Sequence, residues 1–262
     1  MIAPSSLGSI CGPGAAEGLA GLLPVALPLL LLAAYLSGRP RSFARWSETR
    51  TACFTLGCLL IALALSPGIA NWAAADARGH MVQHLLLGML APVALVMGAP
   101  MTVLLRSVPV RLARAIVRML AHPIVRVVSH PFAALVSMTG GMYLMYLTPL
   151  GPRLAGDALG HGWMLTHFLV SGTVFAWSIA GPDPAPHRPS YPVRLATLFM
   201  AIGLHTLLAV RLGAFPVGLG PHEQEAVAIM LYGGDVAEGL LALLLFHAWR
   251  TSRRRRRNAH SA

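Results

Sequence analysis

The sequence predicts an all-α, polytopic membrane protein: a bundle of seven transmembrane helices with its N-terminus outside and its C-terminus in the cytoplasm. Three observations predict this. Of the 262 residues, 56% are hydrophobic and 11% charged, with a mean hydropathy of +0.66, whereas soluble domains carry about 25% charged residues. Several windows of about 20 residues, the length that crosses a bilayer, are almost free of charge. Basic residues also gather in alternate loops, as in other multi-pass proteins.

Seven apolar stretches have the length of a membrane span. They run over 18–37, 50–69, 80–105, 131–150, 161–180, 194–213 and 225–249. Within the longest, Pro92 predicts a bend in "LAPVALVMGAP", because proline removes a backbone hydrogen bond and crowds the preceding turn. After it, Arg111, Arg114 and Arg118 alternate with apolar residues, which predicts an amphipathic helix on the membrane surface. Residues 1–17 then form an outer N-terminal segment, 18–250 the transmembrane domain and 251–262 a basic cytoplasmic tail.

The arginines predict the orientation of the bundle. The chain has no lysine, and seventeen of its twenty arginines lie in the loops after spans one, three and five or in the tail. The other side keeps only Arg78, Arg153 and Arg211. Positive residues favour the cytoplasmic side. The first span lacks a preceding positive segment and is therefore not predicted to be a cleaved signal peptide. We interpret the run of arginines at 253–257 as an anchor on anionic lipid, not as a nucleic-acid site.

Ionisable residues gather in one layer of the predicted membrane, in its outer half. Four helices contribute His80, His84, His161, His167, His205, Asp235 and Glu238. At a rise of about 1.5 Å per residue, the first four lie within about 10 Å of the outer surface, and the other three lie about 12 to 20 Å below it. A charged residue at the centre of a membrane helix costs about 2.5–3.5 kcal/mol. Such groups from four helices at similar depth predict a functional site.

The residue types in this layer suit a metal ion. His80 and His84 are four residues apart and share a helix face, so both imidazoles can hold one ion. Imidazole suits copper, zinc, iron and nickel, and nearby thioethers favour Cu(I). Six methionines occur near these histidines: Met81, Met89, Met142, Met145, Met164 and Met230.

Simpler explanations exist for each of these residues. A histidine at the headgroup layer can extend to water, and methionines commonly fill cores. Asp235 can hold a histidine in one tautomer or carry protons, and Glu238 can form a structural helix contact.

Four stretches of the chain read HMVQHLLLGMLAPVALVMGAP, HFLVSGTVFAWSIAGPDPAPHRPS, GLHTLLAV and YGGDVAEGLLALLLFHAW. Together they resemble the seven-helix CtaG family of cytochrome c oxidase assembly factors. The resemblance covers about residues 20–250, and the HMxQH motif is its most specific part. It implies a multi-pass protein of the bacterial plasma membrane that helps to mature a haem–copper oxidase through copper handling at its outer face. Oxidase subunits or other assembly factors would be its partners.

The resemblance also implies a set of site residues. The positions that match the family's motifs are His80, His84, His167, His205 and Asp235, which we therefore expect to be metal ligands. His161, Glu238, Met81 and Met142 would support them. Where the family's last span usually reads DQQ, this chain has Asp235-Val236-Ala237, so Glu238 is the candidate substitute for the missing glutamines.

Copper delivery needs no catalytic nucleophile, so the sequence predicts an assembly factor and not an enzyme. Three alternatives stay open. An intramembrane zinc hydrolase would use His84, His167, His205 and Asp235 around a zinc-bound water, with Ser171 nearby. A haem-binding electron carrier would use paired histidines as axial ligands. A copper or proton transporter would use Asp235 and Glu238, which lie near the midplane.

Overall fold

The computed structural model of the protein describes residues 13–38, 46–183, 185, 187–215 and 221–260. Regular structure in these ranges is helical, which confirms the all-α prediction for them. It comprises thirteen α-helices and one π-helical turn. The helices are α1 (Pro13–Gly38), α2 (Glu48–Ala64), α3 (Pro67–Ala75), α4 (Ala77–Leu85), α5 (Ala91–Met97), α6 (Pro100–Ser107), α7 (Val110–Leu120), α8 (Pro123–Val128), α9 (Pro131–Leu147), α10 (Leu150–Ala155), α11 (Ala158–Ala180), α12 (Tyr191–Ala214) and α13 (Glu223–His260). Most of the predicted segment 1–17 lies outside the described residues.

Four helical segments of the described chain are long and apolar enough to cross a membrane: Ala77–Met97, Ala158–Ala180, Tyr191–Ala214 and Glu223–Arg254. A fifth span results if α2 and α3, which meet at a bend of 52°, count as one. The apolar Pro24–Gly38 and Pro131–Leu147 are helical but shorter. The protein is thus a helical membrane protein with four or five candidate spans, and the seven spans and their orientation stay predictions.

The third predicted span breaks later than Pro92. A π turn, Leu86–Leu90, joins α4 to α5, and the N–H of Ala91 donates to the carbonyl of Leu86. Pro92 then lies in the first turn of α5, where a missing N–H costs little. The helix ends at Met97, and the chain turns at Ala99, whose φ is 52°. The predicted stretch 80–105 is therefore two helical segments, with its break in the "GAP" that closes it.

Helix packing brings α4, α9, α11, α12 and α13 around one core. α13 packs on α4 and α12, and α11 packs on α5 and α9. Around the start of α4, at the predicted outer end, this core is rich in methionine: Met81, Met142, Met145, Met164 and Met230. Around the end of α11, at the opposite end, leucine, alanine and valine dominate it. Soft sulfur side chains are thus concentrated at the end where the sequence places the histidines.

The two predicted basic segments are both helical. α7 carries Arg111, Arg114 and Arg118, and none of its residues is buried. The predicted tail continues α13, which extends to His260. Both therefore present arginines on helices that extend beyond the packed core.

Candidate functional site

A small cavity lies between α4, the π turn, α9, α11, α12 and α13 near the middle of the bundle. It is lined by His84, Gly88, Met89, Met138, Met142, Phe168, His205 and Glu238. Three of these residues are polar and almost fully buried: His84 is 4% exposed, His205 1% and Glu238 3%. Polar groups in such a core are costly unless something pairs with them.

The polar atoms around this cavity have unused hydrogen-bonding capacity. Among the described residues, neither ring nitrogen of His84 or His205 has a hydrogen-bond partner, nor does either carboxyl oxygen of Glu238. Nδ1 of His205 and Oε1 of Glu238 are 3.7 Å apart, which is longer than a hydrogen bond. Leaving a buried donor or acceptor unsatisfied costs about 1–3 kcal/mol. An arrangement of six such atoms therefore fits a site that takes up an ion, protons or water.

Three thioethers complete the donor set. Met89, Met138 and Met142 line the cavity beside the two histidines. Met138 was not singled out in the sequence, although its spacing of four residues from Met142 places both on one face of α9. Within the described part of the chain, no three His, Cys, Asp or Glu residues form a group that could hold a metal ion. A metal in this cavity would therefore need methionine sulfur as well as imidazole.

Two glycines bring imidazoles directly against a facing helix backbone. A Cβ added to Gly234 of α13 would lie 2.0 Å from Cε1 of His205, and one added to Gly141 of α9 would lie 2.3 Å from Nε2 of His167. Neither contact is possible with a side chain present. Both positions follow another glycine in an apolar span, at 140–141 and 233–234, and such a glycine pair is a sequence signal for close helix contact.

The predicted ligands do not all reach the cavity. His84 and His205 line it, whereas Asp235 is exposed on the outer face of α13. Glu238, expected only to support the ligands, is the carboxylate beside His205. His167 is half-buried and stacks on Trp163 with ring centroids 5.2 Å apart.

The remaining predicted residues lie towards the start of α4 and α11. The Tyr146 hydroxyl is 3.2 Å from Nε2 of half-buried His80 and 3.7 Å from Sδ of buried Met81. The Tyr146 ring also packs edge-on against His80 and His84, with centroids 5.9 and 6.1 Å apart. His161 is half-buried in the first turn of α11. His80 and Met81 thus contact Tyr146, which in turn contacts His84 at the cavity, and we call this series of neighbouring side chains the polar route.

A group of charged side chains, which we call the clasp, joins the starts of α4 and α13. Asp76 caps α4 and pairs with Arg78 at 2.7 Å, and Arg78 pairs with Glu225 at 2.9 Å. Nδ1 of His222 lies 2.9 Å from Asp76. The side-chain hydrogen bonds from Arg78 hold the pKa of Asp76 well below its usual range. The clasp therefore fixes α4, which carries His84, relative to α13, which carries Glu238.

Comparisons with known proteins give a consistent result. Residues 29–252 match the model of a family described as the cytochrome c oxidase caa3 assembly factor. An uncharacterized protein of Mycobacterium leprae is 30% identical over 203 residues, which is 75% of this chain and 31% of that protein. Uncharacterized proteins of Mycobacterium bovis and Mycobacterium tuberculosis are each 29% identical over 243 residues, which is 87% of this chain and 37% of theirs. The chain thus spans about a third of the length of these relatives. No solved structure matches it.

Proposed function

This chain belongs to the family of cytochrome c oxidase caa3 assembly factors, and from that premise we propose that it holds copper for delivery to a haem–copper oxidase. The cavity between His84 and His205 is the proposed copper site. The observation that carries the proposal is the set of buried, unpaired imidazole nitrogens beside three methionine sulfurs. Copper is the cargo in this proposal, and the oxidase or another assembly factor is the partner that receives it.

The donor types suit Cu(I). Imidazole and thioether are neutral ligands, and thioether favours the soft Cu(I) ion over harder divalent ions. In the low dielectric of this core, the single positive charge of Cu(I) needs a counter-charge, and the Glu238 carboxylate stands beside His205 to supply it. Binding and release are then sufficient for the task, so the proposed role is not catalytic.

The polar route gives copper a path to the cavity. Tyr146 contacts His80 and Met81, which lie near the start of α4, and it also contacts His84 at the cavity. His161 lies near the start of α11. The sequence predicts this end to be the outer one. Copper would enter from outside the cell, bind at the cavity and leave the same way.

The arrangement of these side chains supports a zinc hydrolase less well than it supports copper handling. A hydrolytic zinc site uses three protein ligands of the His, Asp, Glu or Cys type with a water in an open position. The described residues offer no group of three such side chains. Ser171, the serine of that alternative, donates its hydroxyl to the Phe168 carbonyl at 3.4 Å. For these reasons we propose copper handling alone.

Cu(I) affinity, measured by competition with a chromogenic chelator on the detergent-purified protein, tests the proposal. We expect wild type to bind about one Cu(I) per chain, as two imidazoles with thioethers fill one coordination sphere. His84→Ala and His205→Ala should each weaken binding by at least about tenfold, the lower limit seen even for residues that only support a metal ligand. His247→Ala, which removes an exposed histidine of the same helix as Glu238, is the matched control and should bind like wild type.

Further variants separate the cavity from the sequence-based ligand set. Glu238→Gln should weaken Cu(I) binding more than Asp235→Asn does, because only Glu238 lines the cavity. Equal copper binding by wild type and His84→Ala would overturn the proposal. Copper binding that depends on Asp235 and not on Glu238 would move the site to the exposed side of α13.

A further inference from the structure

A second pocket lies at the opposite end of the bundle, between the end of α7, α8, the end of α11 and the segment before α12. Its polar wall is formed by Arg126, Ser129, His187 and Arg188, and its apolar wall includes Leu120 and Trp177. None of the described residues that line it is acidic. The arginine bias of the sequence predicts this end to face the cytoplasm.

The guanidinium of Arg126 meets an imidazole nitrogen in this pocket, and none of the described residues around them that line it is a carboxylate. Nη2 of Arg126 lies 2.9 Å from Nδ1 of His187, and both side chains are exposed. The nearby carboxylate of Asp183 is already engaged, since it accepts hydrogen bonds from the backbone N–H groups of Met101 and Thr102 and from the Thr102 hydroxyl. Arg126 therefore has guanidinium N–H groups that an external anion can use.

The adjoining segment adds more positive charge. Arg188 donates to the carbonyl oxygens of Gly181 and Asp183, which fixes its guanidinium in the pocket wall. Burial, with a contribution from nearby Arg194, lowers the pKa of Arg188 below its ordinary value. Arg194 is only 3% exposed, and its Nε has no hydrogen-bond partner among the described residues. An anion in the pocket would relieve the repulsion between these cations.

The surroundings of the pocket are apolar and exposed. On α8, Ile124, Val127 and Val128 are each more than half exposed, and they flank Arg126. Leu112 and Met119 on the neighbouring α7 are exposed to a similar degree. The whole stretch 77–156 contains seven arginines and no acidic residue. A ligand with an anionic head and apolar chains matches this combination, because such helices lie at the boundary between headgroups and acyl chains.

We propose that this pocket binds one anionic phospholipid, with the headgroup phosphate between Arg126, His187 and Arg188 and the acyl chains along the apolar side chains of α7 and α8. The site would hold the protein in the cytoplasmic leaflet at a defined place, separate from any diffuse attraction of the arginine run at 253–257 to the membrane. The inference uses none of the residues of the copper proposal and stands independently of it.

Native mass spectrometry of the full chain in detergent micelles tests the site, with dioleoyl phosphatidylglycerol as probe and dioleoyl phosphatidylcholine as neutral reference. We expect wild type to retain one phosphatidylglycerol in preference to phosphatidylcholine. Arg126→Gln should reduce that retention by about fivefold, which corresponds to the loss of one arginine near an anionic lipid surface. Arg118→Gln removes the same charge from exposed α7 outside this pocket and should leave retention unchanged.

Other outcomes of this experiment decide against the site. Equal losses in Arg126→Gln and Arg118→Gln would mean general surface attraction and would overturn the proposal. So would full displacement of the lipid by millimolar inorganic phosphate, because the pocket would then be a site for the free ion. Should Arg126→Gln fail to fold, His187→Gln provides the same comparison, since its ring contacts Arg126 at the pocket wall.

Discussion

At the scale of single residues, Gly234 lies directly against the imidazole of His205. This contact predicts what a side chain at position 234 would do to stability and to copper binding. Gly234→Ala would place a Cβ 2.0 Å from Cε1 of His205, so the ring must move. Such overpacking costs about 1–3 kcal/mol, and we expect a lower thermal unfolding midpoint in detergent together with weaker Cu(I) binding. Gly239→Ala is the matched control on the same helix, because nothing lies within 4 Å of its added Cβ.

The control is expected to change in the opposite direction. Alanine is favoured over glycine inside a helix by about 0.5–1 kcal/mol, so Gly239→Ala should unfold at the same or a higher temperature. Similar unfolding midpoints and similar copper affinities in the two variants would contradict the assigned position of His205.

Residue-scale predictions from the sequence depended on helix faces that one sequence does not fix. The spacing of His80 and His84 correctly places them on one side of α4, where both contact the Tyr146 ring. For Asp235 and Glu238, three residues apart, the periodicity gives their relative direction but not which of them faces the core. That choice depends on how α13 is rotated against α4 and α12. The structure turns Glu238 inward, and the requirement for glycine at Gly234 follows from the same rotation.

At the scale of elements, Pro92 and Gly172 together determine how closely α11 approaches the π turn and α5. Because Pro92 has no N–H, it cannot form the α-helical hydrogen bond to the Gly88 carbonyl. A Cβ at Gly172 would lie 2.1 Å from that carbonyl oxygen, so α11 touches it. We expect Gly172→Ala to force the helices apart and to destabilise the protein by about 1–3 kcal/mol.

Gly162→Ala is the comparison for this change, since it lies on the same helix α11 with open space around its added Cβ. Thermal unfolding in detergent should show a lower midpoint for Gly172→Ala only. Because Gly88 also lines the cavity, Gly172→Ala should weaken Cu(I) binding as well. An unchanged midpoint would show that the Gly88 carbonyl does not contact α11.

Hydropathy predicted the helices well and their interruptions poorly. Each of the seven predicted apolar stretches is at least partly helical among the described residues. The π turn and the left-handed Ala99 escaped prediction, because both arise from tertiary fit and not from local propensity. Pro92 correctly predicted an interruption in this stretch, but a proline in the first turn of a helix is tolerated. The helix is therefore broken at the residues just before Pro100 and not at Pro92.

At the scale of the whole molecule, the clasp joins α4 to α13 at the end of the bundle where copper is proposed to enter. Asp76 caps α4 and Arg78 lies in its first turn. Their partners His222 and Glu225 lie at the start of α13. The chain is additionally joined there by a backbone hydrogen bond from Ala77 to the Pro221 carbonyl. Residues far apart in sequence thus hold His84 and Glu238 at a fixed separation, which no local sequence pattern indicates.

The clasp makes the stability of the molecule depend on pH in a definite direction. The side-chain hydrogen bonds from Arg78 lower the folded-state pKa of Asp76, whereas an unfolded Asp has a pKa of about 3.9. The stabilisation by Asp76 is therefore fully present above about pH 4 and is lost as pH falls towards the lower folded-state pKa.

Asp76→Asn should lower the unfolding midpoint at pH 7, and its difference from wild type should shrink below about pH 4. Glu225→Gln removes only the ion pair with Arg78, in which the Glu225 side chain is 59% exposed. It should therefore lower the unfolding midpoint at pH 7 by less than Asp76→Asn does. A difference between wild type and Asp76→Asn that stays constant down to pH 3 would mean that Arg78 does not hold Asp76 in its charged form.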